Sequence, residues 1–294
     1  MKAEHVNKIT VLGAGSMGHQ IAMLCALGGF DTYLQDINEQ ALTQATDQLD
    51  GHMTKWVKKG KISEHDKEAA FNRLHTTTNL EEAAADTDFV IEAVVEKLDV
   101  KQKVFKQLDE IAPAHAVFAT NSSTIVNSQI AEVTGRPDRI CNMHFFYPAL
   151  VMDCVEVVQS DETSEETAQL ALEVCDRIGR TRVLLRKELY GFIANRILFA
   201  LTKEAVHLYE EGYADFKDID TICEKALNHP IGPFALMDLS GIDVGYYGNV
   251  QLYHETGNPD DKPAKSVEEK VKKGELGRKT GKGWYDYTKE GARV

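Results

Sequence analysis

The sequence has no apolar run near the ~18 residues that a membrane-spanning helix needs, so no membrane association is expected. Its opening residues, MKAEHVNK, contain neither an apolar stretch nor an Arg-rich amphipathic pattern. No targeting segment is expected, and the expected location is cytoplasmic. Cysteine is sparse: the five residues at 25, 141, 154, 175 and 223 are odd in number, scattered and without C-x-x-C spacing. That pattern speaks against a zinc or disulfide framework and for a reducing compartment, with no metal site expected. Positive charge is also short. The formal net charge is −13, which argues against a nucleic-acid partner. A local exception is Lys55, Lys58, Lys59 and Lys61 around Trp56. A solvated helix end and a phosphate-binding patch explain it about equally well.

What is present is a chain of 294 residues, 43% of them apolar, enough for two cored domains. Its organising stretch is Ile9 to Asp36, ITVLGAGSMGHQIAMLCALGGFDTYLQD. An apolar run (Ile9, Val11, Leu12) leads into Gly13-Ala14-Gly15-Ser16-Met17-Gly18, and helical spacing follows (Ile21, Ala22, Leu24, Cys25, Leu27). Gly13, Gly15 and Gly18 fit G-x-G-x-x-G. Gly13 turns the chain off the strand, Gly15 lets backbone approach a pyrophosphate, and Gly18 lets helix and strand pack closely. The helix N-terminus offers free N–H groups to the phosphates. Asp36 stands near the distance expected of the acid that accepts from the ribose hydroxyls and repels a 2′-phosphate. The cofactor this predicts is NAD rather than NADP.

Along the chain, apolar spacing predicts helices over 38–59, 64–74, 80–85, 98–111 and 163–178, with Ser164 as N-cap. Strands are expected at 88–96, 116–120, 139–143, 154–158 and 181–185. Strands alternating with helices imply a doubly wound, largely parallel sheet, an α/β fold of the Rossmann type. The polar end of 88–96, Glu92 to Glu96, falls at the carboxyl edge, where such sheets bind ligands. Asn121-Ser122-Ser123-Thr124 follows another strand and suits either a ligand or a helix cap. From Tyr190 to Lys273 every periodic segment is helical: 191–211, 215–228, about 232–256 and 264–273. The expected division is therefore an NAD-binding domain over 1–188 and an all-helical domain over 189–294. The tail GELGRKTGKGWYDY reads as a docked loop.

Several of these stretches resemble one family together. GAGSMG, Asp36, VIEAVVEKLDVK, NSST, MHFFYP, VEVV, GFIANRI, NHPIGP and GRKTGKGWYDY occur in the order seen in L-3-hydroxyacyl-CoA dehydrogenases. The chain looks most like the monofunctional bacterial 3-hydroxybutyryl-CoA type, over nearly its whole length. The resemblance implies NAD-dependent oxidation of a short-chain (S)-3-hydroxyacyl-CoA to the 3-oxoacyl-CoA. It also implies an acyl-CoA substrate as small-molecule partner and a homodimer through the helical domain.

Such a reaction needs a base, a group that holds the substrate oxygen, and a cofactor pocket. His144 suits the base, because imidazoles as a class titrate near working pH. A carboxylate on one ring nitrogen would fix its tautomer. His144 and Glu156 match the family's His–Glu pair. Ser123 matches the serine that bonds the substrate oxygen, and Asn195 the asparagine that binds substrate from the helical domain, which implies a site between the domains. The family pattern also assigns Glu96, Lys101, Asn121, Ser123 and, from the tail, Lys279 to the cofactor, although Lys101 and Lys279 read equally well as solvated. Lys59 matches a lysine near the CoA phosphates, but the accompanying serine is here His52.

Other departures fall after His144. Tyr147 replaces an asparagine that approaches the cofactor, Leu150 replaces proline, and Asp153 stands where a basic residue is usual. Tyr190 replaces the proline before Gly191-Phe192. These leave open a same-fold dehydrogenase of a free hydroxy acid or a carnitine-like substrate. A non-catalytic NAD-binding relative is disfavoured because His144 and Glu156 are both present.

Overall fold

The computed structural model describes residues 3–288, and the chain divides into two compact units, Met1–Phe192 and Ile193–Val294. In the first unit the strands are β1 (Lys8–Leu12), β2 (Asp31–Gln35), β3 (Leu74–Thr77), β4 (Phe89–Glu92), β5 (Val117–Thr120), β6 (Ile140–Phe145), β7 (Cys154–Val158) and β8 (Thr181–Leu185). Helices α1 (Gly18–Leu27), α2 (Glu39–Lys58), α3 (Glu64–Arg73), α4 (Leu80–Ala84), α5 (Leu98–Ile111), α6 (Asn127–Ala131) and α7 (Glu165–Arg177) connect them. The eight strands form one sheet in the order β3-β2-β1-β4-β5-β6-β7-β8. It is parallel from β3 to β6. β7 then runs antiparallel to β6, and β8 runs parallel to β7.

The sheet is covered on both faces, and the strand period of two sorts its residues between two cores. Ile9, Val11, Phe89, Ile91, Cys141, Met143, Val155 and Val157 pack with side chains of α1, α2 and α7. Their neighbours Leu12, Val90, Phe118 and Ile140 pack with α5 and α6 through Phe105, Leu108 and Ile130. Nine of the ten α1 residues are buried, so this helix is enclosed on all sides rather than amphipathic. Side-chain caps set several helix starts: Asn38 accepts from the N–H groups of Gln40 and Ala41, and Ser164 from that of Thr167.

Three expectations change. The strand expected over 88–96 ends at Glu92, because the Glu92 carboxylate turns back to accept the Val94 N–H at 2.7 Å. An edge strand, β3, lies across Thr76, a stretch with little apolar pattern to announce it. The helix expected over 232–256 is two helices, broken at Gly241, whose φ of +97° disfavours other residues.

The second unit holds α8 (Phe192–Glu210, which begins on the last residue of the first unit), α9 (Phe216–Lys225), α10 (Pro233–Ser240), α11 (Ile242–Thr256) and α12 (Lys265–Lys272). Its core joins Val206, Ile219, Phe234 and Ile242 to Trp284 of the tail. Two buried carboxylates dock that tail. Asp238 accepts the N–H groups of Trp284 and Tyr285, each at 2.8 Å, and the Tyr287 hydroxyl at 3.0 Å. Asp220 accepts the Tyr285 hydroxyl at 2.8 Å. Among the described residues no helix is long and apolar enough to cross a membrane.

Truncating Asp238 strands these donors, and a buried donor left unmade costs on the order of 1–3 kcal/mol. Asp238→Ala is expected to lower stability by about 2–5 kcal/mol. The measurement is the urea midpoint followed by tryptophan fluorescence. An unchanged midpoint contradicts this role for the carboxylate.

Candidate functional site

The three glycines of the β1–α1 turn meet different surroundings. Gly13 has φ +95°, and a Cβ there would lie 2.6 Å from the Ala93 carbonyl oxygen. A Cβ on Gly18 would lie 1.8 Å from the Gly13 carbonyl oxygen. Both positions are closed to any side chain. Gly15 has no heavy atom within 4 Å of its would-be Cβ, so its backbone lies open. Asp36, one residue past β2, accepts the Ala14 N–H at 2.7 Å and the Asn38 N–H at 2.9 Å. This open turn, with a carboxylate fixed beside it, fits NAD: backbone for the pyrophosphate, and an acid for the ribose that disfavours a 2′-phosphate.

Beside the turn lies a cleft of about 300 Å³ lined by Ser16, Met17, Ala93, Val94, Glu96, Lys101, Asn121 and Ser123. It brings together six of the residues singled out from the sequence, five from three separate carboxyl-edge loops and Lys101 from the first turn of α5. Glu92, placed at the carboxyl edge by the sequence but given no role there, ties these residues together from beneath the lining. Glu92, the last residue of β4, is fully buried and accepts from Lys101 Nζ at 2.7 and 3.0 Å. The Thr120 hydroxyl also donates to it, at 2.7 Å. Lys101 is therefore not solvated: it is 1% exposed, and its ammonium also reaches Glu96 at 3.2 Å. Glu96 accepts the hydroxyls of Ser122 and of Thr124, the latter at 3.0 Å. Burial works to raise the Glu96 carboxyl, but the Lys101 ammonium and these hydroxyls outweigh it and hold it below the usual range. It is ionised at neutral pH.

Near the end of β6, the next strand along the sheet, stands His144. β6 and β7 pair with His144 directly opposite Glu156, and Nδ1 meets the Glu156 carboxylate at 2.8 Å. Both side chains are buried. The ring lies against Phe146 and Phe192, with centroids 4.6 and 5.5 Å away. Asn121 Oδ1 accepts the Phe145 N–H at 2.9 Å, which joins the cleft-lining loop to the end of the His144 strand.

The remaining candidates are not among the residues lining this cleft. Tyr147 is 67% exposed and does not line the cleft. Lys59 is exposed at the C-cap of α2, where Lys61 covers the Trp56 ring. Asn195 is half-buried on α8. Lys279 pairs with Asp243 at 2.6 Å within the helical unit. Two of the departures have structural uses. Leu150 is buried in the core, and its N–H donates to Gln20. The Asp153 carboxylate accepts the Thr181 N–H and hydroxyl at the start of β8. A signal for Glu92 was present in the sequence, an acid inside an apolar strand with Lys101 on the helix that follows.

Removing one partner of a buried ion pair leaves an uncompensated charge and costs about 3–5 kcal/mol. Lys101→Met is expected to lose about that much stability by urea unfolding. Lys103→Met, at an exposed position of the same helix, is expected to lose almost nothing. Equal midpoints for the two variants contradict the role given to the Glu92–Lys101 pair.

Comparison with known proteins agrees with this geometry. Residues 8–189 match the family described as 3-hydroxyacyl-CoA dehydrogenase, NAD binding domain, and residues 191–287 match 3-hydroxyacyl-CoA dehydrogenase, C-terminal domain. The chain is 37% identical to a probable 3-hydroxybutyryl-CoA dehydrogenase of Bacillus subtilis over 282 residues, 96% of this chain and 98% of that one. It is 38% identical to a 3-hydroxybutyryl-CoA dehydrogenase of Clostridioides difficile, covering 96% and 100% of the two chains. The crystal structure of (S)-3-hydroxybutyryl-CoA dehydrogenase PaaH1 from Ralstonia eutropha superposes with a TM-score of 0.90 at 37% identity, covering 97% of this chain and 100% of that one. With both family domains matched in order and an open glycine turn that fits the dinucleotide, the chain belongs to the 3-hydroxyacyl-CoA dehydrogenase family and is an NAD-dependent oxidoreductase.

Proposed function

We propose that this protein interconverts a short-chain (S)-3-hydroxyacyl-CoA, 3-hydroxybutyryl-CoA in the first instance, and the corresponding 3-oxoacyl-CoA. The observation that carries the reading is the buried His144–Glu156 pair at 2.8 Å, on the strand tied to the cleft loop. The names of the relatives, 3-hydroxybutyryl-CoA dehydrogenases, support the substrate class.

With Glu156 accepting at Nδ1, the neutral imidazole carries its proton there and presents a lone pair at Nε2. His144 Nε2 takes the proton of the substrate hydroxyl, and Ser123 donates to the same oxygen. As that proton leaves, the C3 hydride departs and the carbonyl forms. In the reverse direction the imidazolium returns the proton. NAD, when bound, supplies the nicotinamide C4 that accepts the hydride. Gly13, Ala14, Gly15, Ser16, Met17, Gly18 and Asp36 are assigned to its adenosine and pyrophosphate half. Glu96, Lys101, Asn121, Ser123, Tyr147 and Lys279 are assigned to the nicotinamide half. Lys59 and Asn195 are assigned to the acyl-CoA.

In this reading residues 1–188 form the cofactor domain and 189–294 the substrate and dimerisation domain. The homodimer is supported by exposed apolar side chains on the helical unit, among them Ile197, Ile222, Val244 and Tyr247. The five unpaired cysteines suit a reducing, cytoplasmic setting.

The test is the loss of NADH absorbance at about 340 nm, a property of the cofactor, with acetoacetyl-CoA and, separately, with free acetoacetate. Rapid oxidation with the thioester alone is expected. Equal or faster turnover of the free acid overturns the substrate assignment. His144→Gln is expected to lower kcat by about 10²–10⁴-fold, with NADH affinity, read by fluorescence, little changed. Full turnover in that variant overturns the mechanism.

A further inference from the structure

Beyond the pair itself, β6 carries a buried amide on the same face as His144. Asn142 precedes His144 by two residues, and residues two apart in a strand share a face. Both Asn142 and Asn127 are fully buried. Asn142 Nδ2 donates to the carbonyl oxygens of Ile125 at 3.0 Å and Ser122 at 3.4 Å. Its Oδ1 accepts the N–H of Asn127 at 2.9 Å and the Asn127 side-chain amide at 3.1 Å. The Asn127 amide also donates to the Val158 carbonyl, on the residue that faces Asn142 across β7. Inside the loop, Ser122 Oγ accepts the N–H groups of Thr124 and Ile125 at 3.3 and 2.8 Å. The other end of the loop is tied through Asn121 to the Phe145 N–H.

The loop that carries Ser123 is thus fastened to the His144 strand on both sides of His144. A buried amide is costly unless both of its ends are bonded, and here both are. An apolar side chain would fill the same space without that demand. What the amide adds is a fixed relation between two backbone segments. We propose that Asn142 is a positioning residue: it holds the Ser123 loop in register with the strand that bears His144, so that the donor to the substrate oxygen and the base for its proton keep one geometry. This rests on the roles given above to Ser123 and His144. Misplacing such groups by about an ångström is enough to cost on the order of 10²-fold in rate.

The test is a double-mutant cycle on acetoacetyl-CoA reduction. Asn142→Ser keeps a small polar group but cannot span to the loop carbonyls. In the unmutated background it is expected to lower kcat by about 10–100-fold. In a Ser123→Ala background, where there is no donor left to position, it is expected to cost little more. A merely structural role would slow both backgrounds by the same factor, and that result overturns the proposal. So does full activity of Asn142→Ser. If Ser123→Ala alone runs at the parent rate, the role of Ser123 fails first and the proposal with it, whereas a parent protein inactive on the thioester points to the substrate reading instead.

Hydrogen exchange on the unmutated protein gives an answer that does not depend on a variant folding. The Thr124 and Ile125 amides are expected to exchange as slowly as those of β6. Fast exchange in the loop beside a protected strand overturns the proposal.

Discussion

The antiparallel pairing of β6 with β7 is the constraint on which the site depends. Up to β6 the sheet is parallel, and parallel strands place their functional side chains in loops beyond the carboxyl edge. Reversing one strand does something different. It sets His144 and Glu156 opposite each other across a ladder, where side chains on one face meet directly. A slip of one residue would send Glu156 to the other face, among the apolar side chains around Val155 and Val157. The carboxylate–imidazole contact is therefore specified by sheet register, which the hydrophobic cores on both faces enforce.

A second buried pair, Glu92 with Lys101, organises the wall of the cleft. Glu92 is satisfied by Lys101, by Thr120 and by a backbone N–H, so one carboxylate joins β4, β5 and α5. Lys101 then fixes Glu96, and Glu96 fixes Ser122 and Thr124. Asn142 reaches the same loop from the other side. The cleft wall is a chain of satisfied polar contacts, which in a low-dielectric interior is rigid when complete and costly when broken.

Much of this was legible in the sequence, and the remainder has identifiable causes. The glycine turn and the alternation of strands and helices follow from short-range periodicity, and the sheet and the family match agree with them. The end of β4 was misplaced because Ala93-Val94-Val95 continues the apolar run, whereas the strand is stopped by the Glu92 side chain folding back on its own backbone. Lys101 read as a solvated or cofactor-facing lysine because its burial depends on an acid from a neighbouring strand, a tertiary fact. The direction of β7 has no local signature. Asp153 stood out only as an acid where a basic residue is usual, while its carboxylate anchors Thr181. For Glu92, Lys101 and Asp153 the missing information was a side-chain contact that apolar periodicity does not encode.

The central claim is that Glu156, bonded at Nδ1, fixes the tautomer of the His144 ring so that Nε2 is the nitrogen left to take the hydroxyl proton. The most direct measurement is nitrogen-15 NMR of the His144 ring in histidine-labelled protein at mildly alkaline pH. The account predicts a protonated Nδ1 and an unprotonated Nε2, with Glu156→Gln weakening that preference. A ring protonated at Nε2 with a bare Nδ1 facing the carboxylate would contradict it.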